Sequence, residues 1–229
     1  MAKRKRVTRK QLLKEPDEFL TFSRRLLLFV LENKVKIATG LGAFFAVIIV
    51  FSGIQYFSDR AEDKAFALIG QGMDKYETLL KDDGPEKAYT DVQPDFQLIL
   101  DKYSEKNAGK LARIIYANIC YNAGNADKAI ELYDKAIQEV ENDASFKNLV
   151  LSGLAYAHEA KKDYKTAIRY FETIANGNDP LMKDEAFFNL GRLYAETGEG
   201  EKSMNAFKTI VSDYTDSLYL ELAKERVAG

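Results

Sequence analysis

The chain has 229 residues, 46% apolar and 30% charged, with 4 Pro, no Trp and a single cysteine, Cys120. This composition excludes collagen-like and intrinsically disordered classes, and one cysteine rules out an intramolecular disulfide or a paired-thiolate metal site. The net charge of −2 hides an asymmetry: residues 1–36 hold 11 Lys/Arg against 4 Asp/Glu, leaving 22 against 31 for the rest, so the two ends face different surroundings. Scarce Pro and plentiful Tyr and Phe suit long helices joined by short turns, and all-α is the expected class.

The basic run Lys3-Arg4-Lys5-Arg6, with Arg9 and Lys10, has the charge to hold nucleic acid. Placed just before an apolar segment, it marks instead the cytoplasmic side of a membrane span, and no nucleic-acid partner is expected. Pro16-Asp17-Glu18 reads as a helix start, with Pro in the first turn and acids near the positive end of the helix dipole. The helix that follows, SRRLLLFVLENK, is amphipathic and too short to span a bilayer. Either it lies on the cytoplasmic face with Arg24 and Arg25 near lipid phosphates, or it packs on a partner's membrane helix.

Residues 37–57, IATGLGAFFAVIIVFSGIQYF, run 21 positions without a charge. At about 1.5 Å per residue that reaches roughly 30 Å, the thickness of a bilayer's hydrocarbon core. Arg24, Arg25, Lys34 and Lys36 precede it, and Asp59, Arg60, Glu62 and Asp63 follow, so the N-terminus is expected in the cytoplasm. The run is too long for a cleaved signal peptide's core and lacks a small-residue exit, which predicts a signal anchor. Residues 1–36 are then a basic cytoplasmic tail with a juxtamembrane helix, 37–57 a transmembrane helix in contact with lipid, and 58–229 a domain on the far side of the membrane.

Beyond the span, Ala61, Ala65, Leu68, Met73, Tyr76 and Leu79 recur at helical spacing, and Asp83-Gly84-Pro85 predicts a break. Residues 92–112, VQPDFQLILDKYSEKNAGKLA, read as a second helix with Phe96 at an aromatic position 37 residues before Tyr133. Three stretches then align with one another: 111–140, 149–175 and 185–211. Ala129, Ala167 and Ser203 hold a small position at spacings of 38 and 36, and Tyr133, Phe171 and Phe207 keep step. Each unit is a helix pair in which small residues admit a close approach and aromatic ones fill around it. Gly124-Asn125, Lys162-Asp163 and Gly198-Glu199 supply the turns, and a final helix is expected to start at a capping Asp216 or Ser217.

Leu190, Gly191, Tyr194, Gly198, Ser203, Phe207 and Ile210 carry a pattern that resembles the tetratricopeptide repeat (TPR) family. Tyr116-Ala117 and Cys120 depart from it in the first aligned unit, and His158 takes the Tyr position in the second. The resemblance implies an α-solenoid of one degenerate and three clearer helix hairpins behind a single transmembrane helix, closed by a C-terminal capping helix. The layout is also similar to that of the bacterial YfgM-type proteins, ancillary subunits of the Sec translocon. That similarity implies a bacterial inner-membrane protein whose residues 58–229 are a periplasmic scaffold beside the protein-export channel, linking emerging chains to periplasmic chaperones; an envelope scaffold for division or outer-membrane assembly has the same architecture.

An enzyme needs a poised acid, base, nucleophile or metal. His158 and Cys120 sit at repeat-packing positions and the exposed carboxylates at turns, so neither catalysis nor a cofactor is expected. Gly40-x-Gly42 and Gly70-x-Gly72 fall inside helices, where close packing accounts for them better than phosphate binding. In TPR domains the first helix of each pair lines the concave face, which points to Ile114, Asn118, Tyr121, Asn122, Ser152, Tyr156, Glu159, Phe188 and Arg192 as protein-binding residues. The Lys/Arg clamp that some TPR domains use for a terminal carboxylate has no counterpart, because Ile114 and Ser152 stand there. The expected partners are proteins: Sec translocon subunits, periplasmic chaperones, exported chains, or a second copy of the chain as a homo-oligomer.

Overall fold

The structure is a computed structural model that describes residues 18–141 and 143–229, with side chains from Phe22 onward. The basic residues up to Lys14 and the expected helix start at Pro16 lie outside the described residues. These form ten helices and no strand, as the hydrophobic periodicity predicts. The chain divides between Asp59 and Arg60 into two compact units.

The first unit holds α1 (Glu18–Glu32) and the beginning of α2 (Lys34–Asp82). The apolar stretch of α2 has no buried residue, and α2 is the one described helix long and apolar enough to cross a membrane. Thr39, a polar interruption, donates its hydroxyl to the Val35 and Lys36 carbonyls at 2.9 Å each, so its polar group is satisfied within the helix. Gly40 and Gly42 face open space rather than a packed neighbour, which corrects the close-packing expectation for that pair.

In the second unit α2 from Arg60 pairs with α3 (Pro85–Tyr103). Gly84 turns the chain at φ 84°, and Pro85 opens α3 where its missing N–H costs nothing. Ala65, Ile69 and Tyr76 bury against Val92, Phe96 and Ile99. Gly72 lies under the Phe96 ring, whose edge would sit 3.2 Å from an added Cβ, whereas Gly70 faces open space. The remaining helices are α4 (Asn107–Asn122), α5 (Ala126–Glu139), α6 (Ala144–Ala160), α7 (Tyr164–Asn176), α8 (Lys183–Glu196), α9 (Gly200–Asp213) and α10 (Leu220–Ala228), each packed on its sequence neighbours.

The turns within the three hairpins share one hydrogen-bond pattern. Asn125, Asp163 and Glu199 donate their backbone N–H to the carbonyls of Cys120, His158 and Tyr194 at 2.8, 2.9 and 2.7 Å. The preceding residue is left-handed in each, with φ of 78° at Gly124, 63° at Lys162 and 82° at Gly198. This is the glycine-type helix stop followed at once by the next helix, whose N-terminal amides are capped by the Asn125 and Asp163 side chains. Lys162 holds without glycine the geometry for which its counterparts use it.

Small-against-large packing joins helices both within and between the hairpins. An added Cβ at Gly191 would lie 2.6 Å from the Phe207 ring, and at Gly153 2.4 Å from Tyr133. Ser203 donates its hydroxyl to the Gly191 carbonyl at 2.7 Å, which fixes α9 against α8 at the closest point.

Two boundaries differ from the sequence reading. The stretch 92–112 is not one helix: α3 begins at Pro85 and carries Pro94 inside it, while Asn107 opens α4. Glu62 of α2 accepts the Asn107 and Ala108 N–H groups at 3.3 and 2.6 Å, so α4 is capped by a side chain remote in sequence. The last helix begins at Leu220 rather than at Ser217, because the Ser217 hydroxyl is committed to Asp184 (2.6 Å) and accepts the Tyr219 N–H (3.0 Å).

Candidate protein-binding surface

The first helices of the hairpins, α4, α6 and α8, present aligned faces. Ser152, Tyr156 and Glu159 of α6 recur at helical spacing, and opposite them Glu185, Asn189 and Arg192 of α8 repeat it. Glu185 accepts from the Ser152 hydroxyl (2.9 Å) and the Tyr156 hydroxyl (3.0 Å). Asn189, 3% exposed, donates its amide to the Tyr156 oxygen at 2.8 Å and turns its carbonyl toward Arg192. Arg192 grips the Glu159 carboxylate with two nitrogens, at 3.0 and 3.1 Å, a planar match that a lysine cannot make. One step earlier the Asn148 amide donates to the Leu181 carbonyl at 3.0 Å.

The result is a polar ladder between neighbouring repeats. Burial, with Glu185 second, raises the Tyr156 phenol above its ordinary range. Burial likewise raises Tyr121, helped by Glu159 and opposed by Arg192. Both phenols therefore stay protonated, and the Tyr156 hydroxyl is a neutral donor to Glu185.

Among the residues expected to bind protein, Tyr121, Tyr156, Glu159 and Arg192 come together around an open cavity of about 400 Å3, with the Tyr121 and Tyr156 ring centroids 6.3 Å apart. Ser152 is buried in the ladder. Asn118 and Asn122 are exposed on α4, where the Asn118 carbonyl accepts the Tyr133 hydroxyl. Ile114 is buried, and with Leu111, Val140 and Phe146 it lines a separate cavity of about 390 Å3. Phe188 stacks on Tyr219 at 4.7 Å and meets Phe207 edge-on at 5.9 Å, so the chain's own C-terminal segment covers it.

Glu185 and Asn189 were not foreseen. Their partners lie 33 and 29 residues away, off the 36-residue repeat spacing, and only their helical alignment with Arg192 signalled them. His158 hydrogen-bonds through Nδ1 to Asp163 at 3.1 Å beside the turn. The Cys120 thiol is fully buried, which pushes its pKa to about 12. No group of three potential metal ligands occurs among the described residues.

Paired helices with small-large contacts, recurrent left-handed turns and a face built from every first helix are the geometry of a tetratricopeptide repeat, and the model of the tetratricopeptide repeat-like domain family matches residues 29–208. The chain belongs to that family. TPR-like repeats are typically non-catalytic scaffolds that mediate protein–protein interaction, and that is the activity the fold class supports here. No curated protein matches the chain in sequence. Among solved structures, BtubC (BKLC) from P. vanneervenii aligns with a TM-score of 0.57 over 74% of this chain and 78% of its own, at 14% identity, a likeness of fold.

Proposed function

We propose that this TPR-like protein is a membrane-anchored scaffold of the bacterial cell envelope. Residues 37–57 form the anchor, 1–36 stay in the cytoplasm and 58–229 stand in the periplasm. The observation that carries the reading is the exposed apolar stretch of α2, with Lys and Arg concentrated before it and acids after it. Exposed Phe, Ile and Val side chains along such a length are unfavourable in water and favoured in lipid.

The binding face offers neutral phenols and one arginine–carboxylate pair around an open cavity, with exposed amides elsewhere on α4, a mixture suited to backbone and apolar side chains of a polypeptide. Together with the layout shared with YfgM-type proteins, this favours an accessory of the Sec machinery that links emerging chains to periplasmic chaperones. In intact cells, crosslinkers placed at Tyr121 and Asn122 should recover translocon subunits, periplasmic chaperones or exported chains. Recovery of division or outer-membrane assembly components alone would transfer the scaffold to that process. Protection of residues 58–229 from protease in cells with a permeabilised outer envelope would overturn the topology.

A further inference from the structure

We infer that α1 is an interfacial helix that docks on anionic lipid headgroups of the leaflet in which the anchor begins. The inference rests on the anchor reading above and goes beyond it, since an anchored chain has no need of a second lipid contact. At 15 residues, α1 is roughly 22 Å long, short of a bilayer's ~30 Å core, so it does not cross. Yet it is not the solvated helix its length would suit. Phe22, Leu26, Phe29 and Val30 fall at i, i+4, i+7 and i+8 on one face, and Leu27 and Leu31 widen it. All are exposed, Leu27 by 62% and Leu31 by 58%.

The opposite face carries Arg24, Arg25 and Glu32, with Leu28 the one apolar residue among them. Neither guanidinium has a carboxylate partner among the side chains described. A broad apolar arc backed by arginines is the pattern of a helix lying in the headgroup layer, whereas a seam against one partner helix needs a narrower stripe. Charge names the lipid: residues 1–36 carry 11 Lys/Arg against 4 Asp/Glu, and basic residues beside a span are drawn to anionic lipid. The helix ends at Glu32, and the single residue that links it to α2, Asn33, donates its side-chain amide to the Phe29 carbonyl at 3.0 Å. The short link therefore keeps α1 close to the leaflet in which the anchor begins.

The test uses the full chain with an environment-sensitive fluorophore on Leu27→Cys; Cys120 is 0% exposed and stays unlabelled. The protein is reconstituted into phosphatidylcholine vesicles with and without phosphatidylglycerol. The expected result is a blue-shifted emission, quenched by lipid-borne quenchers, with an embedding constant roughly tenfold or more larger on the anionic vesicles. That preference should shrink in high salt and in the R24Q/R25Q variant. Equal embedding in both lipids at every salt concentration, water-like emission in both, or burial only when another membrane protein is co-reconstituted would each overturn the inference. The last outcome would assign the face to a partner helix. Release of the protein from both vesicle types at alkaline pH sinks the anchor itself, whatever the α1 probe reports.

Discussion

Gly191→Ala isolates the close approach on which the last hairpin depends. The added methyl would lie 2.6 Å from two Phe207 ring atoms and 2.8 Å from a third, about 1 Å inside van der Waals contact. The ring has little room to yield, because it is 4% exposed and meets Phe188 edge-on, while the Ser203 hydroxyl holds the two backbones together. Overpacking of this kind costs about 1–3 kcal/mol, against which alanine recovers about 1 kcal/mol of helix propensity. Gly70→Ala is the control, since nothing lies within 4 Å of its Cβ and only the propensity gain of about 1 kcal/mol applies. Helix content followed through urea and thermal unfolding should therefore separate the two variants by about 1–3 kcal/mol in favour of Gly70→Ala, or roughly 2–12 °C for a chain of this size. In a Phe207→Leu background the Gly191→Ala penalty should largely vanish. If Gly191→Ala stabilises the protein as much as Gly70→Ala does, the packing argument fails.

Lys162→Gly should raise stability by about 0.5–1 kcal/mol in the same assay, because lysine holds a left-handed backbone there. Tyr156→Phe deprives Glu185 and buried Asn189 of their shared hydroxyl and should cost about 1–1.5 kcal/mol, while Arg192→Lys should weaken crosslinking to the partner more than it lowers the melting temperature. Hydrogen bonds from Lys128 and Lys135 hold the Glu131 carboxyl at about 2, below its ordinary value, so its stabilisation is full above pH ~4.3 and lost as pH falls toward 2. Glu131→Gln should flatten that acid limb by a few tenths of a kcal/mol only, because the pair is exposed and screened. A thiol reagent at pH 8 should leave Cys120 untouched in the folded protein and modify it on unfolding, at a rate that reports opening of the first hairpin.

Much of the fold was legible because it is written in local spacing. An uncharged run declares its length directly, and Ala129, Ala167 and Ser203 against Tyr133, Phe171 and Phe207 declare the hairpins, since both signals repeat with the helix. What escaped depends on the stagger between helices. The Ser152–Glu185 and Glu159–Arg192 bonds join residues 33 apart although the units repeat at 36, and that offset exists only once the helices are stacked. Phe188 was read as open to a partner because its coverage by Tyr219 comes from an irregular segment. Ser217 was read as a cap because its chemistry fits one, and only the nearby Asp184 shows what the hydroxyl does instead.

The reach of Glu62 to the first amides of α4 bears on how a soluble version should be cut. A fragment designed by hydropathy alone and started at Lys64 or Ala65 would discard that carboxylate and leave two helix-end donors facing nothing. Started at Asp59 or Arg60, it keeps the acid and omits the greasy stretch, so a difference of five residues in primer design should separate a well-behaved domain from one that frays at its first repeat.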